Sequence, residues 1–188
     1  MINRIVLLNS IAGCGKDTSA DYICSNYSFK KVALADGIKE IAKKYFNSTY
    51  KNRELYIKIG EKMREINPNV WIDYTLKRTD NIEKCIISDC RQPREYYRLV
   101  NKGFLPIRIL CDKDKAIDRL RKRDGHCDES LLELPTEIGT NKLNAIEIDN
   151  NGRFKDLYDK LDNLINQNYD NYLSGLQLDI KLNENIKK

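Results

Sequence analysis

Residues 4–23 read RIVLLNSIAGCGKDTSADYI, and the order of residue types in that stretch constrains the architecture. Residues 4–9 are a short run dominated by Ile, Val and Leu, the composition of a buried strand. From Lys16 to Tyr27 the pattern is helical, and the small residues Ala12, Gly13 and Gly15 lie between the two segments. A strand, a loop of small residues closing on Gly15-Lys16, and a helix together make a phosphate-binding (Walker A) loop. Its backbone N–H groups converge on one phosphate, the helix start adds positive potential, and the lysine reaches the outer phosphates. Two positions depart from the usual pattern. Ser10 stands where the first glycine is usual, and Asp17 stands where a Ser or Thr is usual.

Ser10 is expected to cost backbone freedom that a glycine would supply, offset by a hydroxyl able to bond within the loop. Asp17 sits where a carboxylate favours the helix dipole, so it reads either as a helix cap or as a charge acting on the phosphates. The residue it replaces normally touches magnesium. Thr18, one position on, can supply that hydroxyl directly or through water. Cys14 lies inside the loop and reads as a filler whose backbone N–H matters more than its thiol.

Further along, strand-like and helix-like segments alternate. Residues 30–35 are a weaker strand. Asp36–Phe46 is a helix with Asp36 as its N-cap, 52–66 is another, and after Pro68 a third runs through Trp71, a core residue by its setting. Residues 84–89 form a strand with a continuous apolar centre, 92–101 a helix ended by Gly103, and FLPIRILC the next strand. A helix at 113–123, a strand at 144–149 and the amphipathic helix Phe154–Ile165 follow. The alternation predicts the α/β class, a parallel sheet with helices on both faces. Residues 1–166 read as one domain and 167–188 as a polar, loosely docked tail.

The 188 residues are 41% hydrophobic and 32% charged, a composition suited to one globular core. No run approaches the roughly 20 apolar residues of a membrane span, and the opening residues are too few for a secretory signal. The six cysteines form no C-x-x-C pair and read as reduced thiols. The expected location is the cytoplasm, of a cell or of an infected host, with no membrane partner. The net charge of +5 is concentrated in clusters such as RLRKRDG at 119–125. No RNA-binding or helix-turn-helix signature accompanies them, so no nucleic-acid partner is expected. Phosphorylated small molecules account for the charge.

Several side chains suit that chemistry. Asp89 ends an apolar strand, where open α/β sheets place their ligands; a carboxylate there can orient magnesium-bound water or hold an arginine. Arg91 follows with a planar fork matched to phosphate. Arg119 and Arg123 share one face of a helix at i, i+4. His126, the one histidine, reads equally as a local hydrogen-bonding residue or as a catalytic one.

The loop GCGKDTSADYI resembles that of the bacteriophage deoxynucleoside monophosphate kinases, in which Asp follows the loop lysine; phosphomevalonate kinases have a similar G-K-D. The likeness continues through LADGIKE, KIGEKMREINPNVW, SDCRQPREYYRLVNKGFLPIRIL, HCDESLLELP and NAIEIDNNGRFKDLYDKLDNLI, covering about residues 4–165. It implies a P-loop NTPase fold of the nucleoside monophosphate kinase type, with helices at about 36–78 gripping the acceptor and a lid at about 115–140. It implies ATP as donor, with Mg²⁺. ATP would be held by Ala12, Gly13, Cys14, Gly15, Lys16, Asp17, Thr18 and Arg119. Lys16, Asp17, Asp89 and Arg123 would serve the transfer, and Thr18 and Asp89 the metal. Asp36, Lys39, Arg64, Arg91 and Gln92 would bind the acceptor. Ser10 departs from the family loop, and the segment between the second strand and Trp71 is short, which leaves the accepted base open. The expected partners are small-molecule nucleotides, with a homodimer left open. The alternatives are another small-molecule kinase of this fold, of the dephospho-coenzyme A or phosphomevalonate type, and a nucleotide-binding protein whose chemistry has lapsed.

Overall fold

The computed structural model describes residues 2–186 except 9, 49, 51, 130–131 and 133–138, with only the backbone at 183–186. Five strands, β1 (Arg4–Leu8), β2 (Lys30–Val32), β3 (Cys85–Cys90), β4 (Leu105–Leu110) and β5 (Ile146–Asp149), form one sheet in the order β2-β3-β1-β4-β5. Every pairing is parallel. The chain leaves β1 toward β2 at one edge and leaves β3 for β4 on the other side of β1. The carboxyl end of β1 therefore lies at the point where the connections diverge, the place where such sheets open a ligand crevice.

The helices are α1 (Lys16–Tyr27), α2 (Asp36–Phe46), α3 (Arg53–Ile66), α4 (Val70–Thr79), α5 (Pro93–Asn101), α6 (Lys113–Asp124), α7 (Phe154–Ile165) and α8 (Asp170–Ile186). Alternation along β1 splits the core in two. Ile5 and Leu7 face α1 and α7, packing with Ala20, Ile23, Leu157 and Leu161. Val6 and Leu8 face the other way, onto Ile72 of α4 and onto Tyr96, Leu99 and Val100 of α5. Period-2 side-chain direction on a fully covered strand explains why β1 reads as an unbroken apolar run. A smaller cluster of Ile38, Ala42, Ile59 and Trp71 welds α2, α3 and α4 into one unit at the edge of the sheet.

Helices α1, α2 and α7 begin and end where the sequence places them. Two expectations change. The second strand stops at Val32, because the chain turns at once into α2. Asp36 is not its N-cap: that position is Ala35, and the Asp36 carboxylate reaches back to accept the Ala33 N–H at 2.9 Å. The C-terminal segment is a helix and not a loose tail. Leu176 and Ile180 of α8 are buried in the core beside α5, and the Gln177 amide donates to the Val100 carbonyl at 2.8 Å. No helix among the described residues is long and apolar enough to cross a membrane.

Candidate functional site

The loop between β1 and α1 takes its shape from two glycines. Gly13 and Gly15 have φ of 87° and 95°, in the left-handed region that disfavours side chains. Space excludes a side chain as well: a Cβ at Gly13 would lie 2.6 Å from the Ala116 carbonyl oxygen of α6, and one at Gly15 would run into the Asn150 amide. The loop is thus wedged between α6 and the end of β5.

Ser10 is buried at the head of the loop. Its buried hydroxyl donates to the Ile109 carbonyl of β4 at 2.6 Å, so it ties the loop to the neighbouring strand and does not bond within the loop. Ser10→Ala should cost about 1 kcal/mol of stability through the lost buried hydrogen bond. Denaturant unfolding checks this, and an unchanged midpoint would mean that the bond carries nothing. Cys14 is buried at 2% exposure, and its carbonyl accepts from the Asn150 amide at 2.8 Å. The loop-filler reading of its thiol fits that burial.

Lys16 opens α1, and its ammonium is held below the ordinary lysine value, first by burial and then by the Arg91 charge, with Asp89 pulling the other way. A desolvated cation beside a second cation is stabilised by an incoming anion. Asp17 makes no capping bond; the N-cap is Gly15. Its carboxylate accepts from Lys31 of β2 at 3.3 Å, and Lys31 also reaches Asp21 at 3.0 Å. Asp89 uses both oxygens on the β2–α2 turn, accepting from the Leu34 and Ala35 N–H groups at 2.7 and 3.0 Å.

All the site residues named from the sequence line one open cleft of about 2760 Å³. Ligand pockets of drug-sized molecules run to about 1,000 Å³, so this cleft has room for a nucleotide and an acceptor together. The loop residues Ala12, Gly13, Cys14, Gly15, Lys16, Asp17 and Thr18 form its centre. Asp36 and Lys39 of α2, Arg64 of α3 and the segment of Asp89, Arg91 and Gln92 line one arm, while Arg119 and Arg123 of α6 line the other. Lys39 pairs with Asp36 at 3.2 Å. Arg119 donates to the Cys111 sulfur at 3.2 Å and to the Asn150 carbonyl at 2.9 Å. Arg123 grips Asp124 through Nε and Nη2 at 2.8 and 2.6 Å. His126 contacts the Asp124 carbonyl at 3.3 Å, a local role. Trp71 is core, with its indole N–H donating to the Gly60 carbonyl at 3.1 Å. Part of the expected lid, 130–131 and 133–138, lies outside the described residues.

Three cleft residues escaped the sequence reading. Asn150 clamps the loop, Lys31 braces Asp17, and Glu95 is a buried carboxylate at the start of α5. Glu95 alone left a local signal, since a glutamate three residues after Gln92 is a helix-start pattern.

The donor set suits a phosphate better than a protein-built metal cage. Among the described residues no group of three His, Cys, Asp or Glu side chains can hold a metal ion. Mg²⁺ commonly keeps several waters and binds through few carboxylates plus substrate phosphates. The Thr18 hydroxyl and the Asp89 carboxylate fit that manner of binding.

Comparison with known proteins bears on this geometry. The chain is similar in structure to a gluconokinase from Sinorhizobium meliloti 1021, at 16% identity over 99% of this chain and 97% of that one, with a TM-score of 0.56. A shikimate kinase from Acinetobacter baumannii, solved in complex with shikimate, matches at 13% identity over 88% and 93% of the two chains, with a TM-score of 0.57. TT1252 from Thermus thermophilus matches at 14% identity over 88% and 97%, with a TM-score of 0.54. These likenesses show the fold, that of the P-loop kinases. No curated protein matches the chain. A family model described as an AAA domain matches residues 6–141, more than half of the length, and the chain belongs to that family.

Proposed function

We propose that the protein is an ATP-dependent kinase that phosphorylates (deoxy)nucleoside monophosphates to diphosphates, in the manner of the phage enzymes its loop resembles, and that residues 1–166 carry this activity in the cytoplasm. The observation that carries the reading is the presence of two cationic ends in one cleft. Lys16 stands in the loop, and Lys39, Arg64 and Arg91 line the arm across from α6. A second cationic end suits an acceptor that is itself anionic, and the three cations of this arm match the greater charge of a phosphate better than that of a carboxylate.

The roles follow from position. The N–H groups of Gly13, Gly15 and Lys16 cradle the donor phosphates, the Cys14 N–H being bonded to the Ile11 carbonyl at 3.2 Å, and Lys16 offsets charge on them. Arg119, fixed against Cys111 and Asn150, lines the donor end. Arg91 and Lys39 hold the acceptor phosphate, with Arg64, Asp36 and Gln92 completing that arm. Arg123, at the end of α6, turns toward the transferring group when it leaves Asp124. Mg²⁺, when bound, supplies charge neutralisation between the outer phosphates; Thr18 and Asp89 would hold its waters. Phosphoryl transfer needs chiefly positioning and positive charge, so no side-chain nucleophile is required.

Asp17 is assigned to the transfer through its charge beside Lys31 and the donor phosphates. Asp17→Asn keeps the size and removes the charge. Turnover should fall about tenfold, or about 1.4 kcal/mol, with the melting temperature close to the parent's. Full activity at every magnesium concentration would reduce Asp17 to a partner of Lys31.

The function itself is tested by an ADP-release screen. The panel comprises the deoxy- and ribonucleoside monophosphates, dephospho-coenzyme A, phosphomevalonate, gluconate and shikimate. Release with a nucleoside monophosphate supports the reading; release with another member alone replaces it.

A further inference from the structure

Glu95 is 7% exposed, the one acidic side chain in the buried class among the described residues, and it lines the cleft. A buried carboxylate costs several kcal/mol unless it is bonded or paired, so its surroundings show what it serves. One oxygen, Oε2, accepts the N–H of Arg91 at 2.8 Å and that of Gln92 at 3.0 Å, pinning the backbone that carries the Arg91 guanidinium. Its charge is also felt by Arg64 of α3, an element joined to the rest of the fold mainly through α2 and α4. Asp89 and Cys90 of β3 are also near enough for charge to act between them and Glu95.

We propose that Glu95 is the positioning residue of the acceptor-phosphate clamp: its buried charge sets the distance between Arg64 on α3 and Arg91 at the end of β3, so that both meet one phosphate. The inference rests on the proposed function, because it presumes a phosphate in that arm. Glu95 touches neither substrate. It acts through the two arginines, and its charge offsets part of the positive charge that Lys16, Arg64 and Arg91 bring to one cleft. Burial pushes the Glu95 carboxyl above the ordinary glutamate value, against the pull of the two N–H bonds and of Arg64. The clamp therefore loosens on acidification earlier than an exposed glutamate would allow.

The test uses Glu95→Gln in the full chain. The amide oxygen still accepts the two N–H groups, so α5 keeps its start and the melting temperature should stay within a few degrees. We expect the KM for the monophosphate to rise about fivefold, with the KM for ATP within twofold of the parent's. The ratio of parent to variant in kcat/KM for the acceptor should approach one as the pH falls, because protonation makes the parent resemble the variant. Glu95→Asp, which keeps the charge but withdraws it by one methylene, should recover part of the loss. An unchanged acceptor KM, or equal rises in both KM values, would overturn the role. In parallel, inorganic phosphate is titrated calorimetrically into the ADP-loaded parent and variant. Weaker phosphate binding by the variant supports the clamp even if no nucleoside monophosphate is turned over, which would sink only the proposed substrate. Equal binding by the two proteins, or none by the parent, sinks the clamp.

Discussion

Lys16→Ala should lower turnover at least about a hundredfold while leaving the empty protein no less stable than the parent. The first half follows from charge. Removing one donor preorganised on a developing phosphate charge costs about 2.7–4 kcal/mol in comparable sites, a factor of about 10² to 10³. The second half follows from burial. The folded state depresses the Lys16 pKa, chiefly through desolvation and next through Arg91. A lysine with a lowered folded pKa opposes folding while it is charged. That penalty is present at neutral pH and fades only as the pH rises through the lysine range. Alanine removes the penalty together with the function. Turnover near the parent's would exclude the proposed role, and a collapse in melting temperature would show that Lys16 holds the loop instead.

Arg91→Lys should weaken acceptor binding about thirtyfold and leave ATP affinity within twofold. Lysine keeps the charge but loses the planar fork. One charge-assisted hydrogen bond of the pair is then lost, worth roughly 2 kcal/mol and so about thirtyfold in Kd. The position supports the assignment, because Arg91 follows β3, on the β2 side of β1, whereas Arg119 belongs to the helix that follows β4 on the other side. The backbone N–H of Arg91 is pinned by Glu95, so the substitution changes the head group and not the turn. Calorimetry with each substrate separately checks the pattern. A larger loss for ATP than for the monophosphate would move Arg91 to the donor side.

The sheet-and-helix order was legible because it rests on local signals. Buried strands such as β1 and β3 read as apolar runs, and α7 shows its apolar stripe at helical spacing. The glycines of the loop announce themselves because a positive φ restricts the residue type at its own position. What stayed hidden depends on distant partners. Ser10 looks like a strained substitute until its hydroxyl is seen on Ile109, 99 residues away. Asn150 bonds the Cys14 carbonyl across 136 residues, and no periodicity reports that. Asp89 was placed correctly at a strand end, yet its two oxygens brace a turn 54 and 55 residues earlier, which pattern reading cannot see. Helix α8 did leave a trace: Leu173, Leu176 and Ile180 recur at i, i+3 and i+7. Polar neighbours dilute that stripe, and the side of α5 that receives it is known only from the fold.

The most direct test of phosphoryl transfer follows the label from γ-³²P-ATP in the presence of a single deoxynucleoside monophosphate and Mg²⁺, with the products separated by charge. The account predicts that the label appears on the deoxynucleoside diphosphate in step with ADP formation, and that Lys16→Ala abolishes both. Label recovered only as inorganic phosphate, or retained on ATP with every monophosphate, would contradict it.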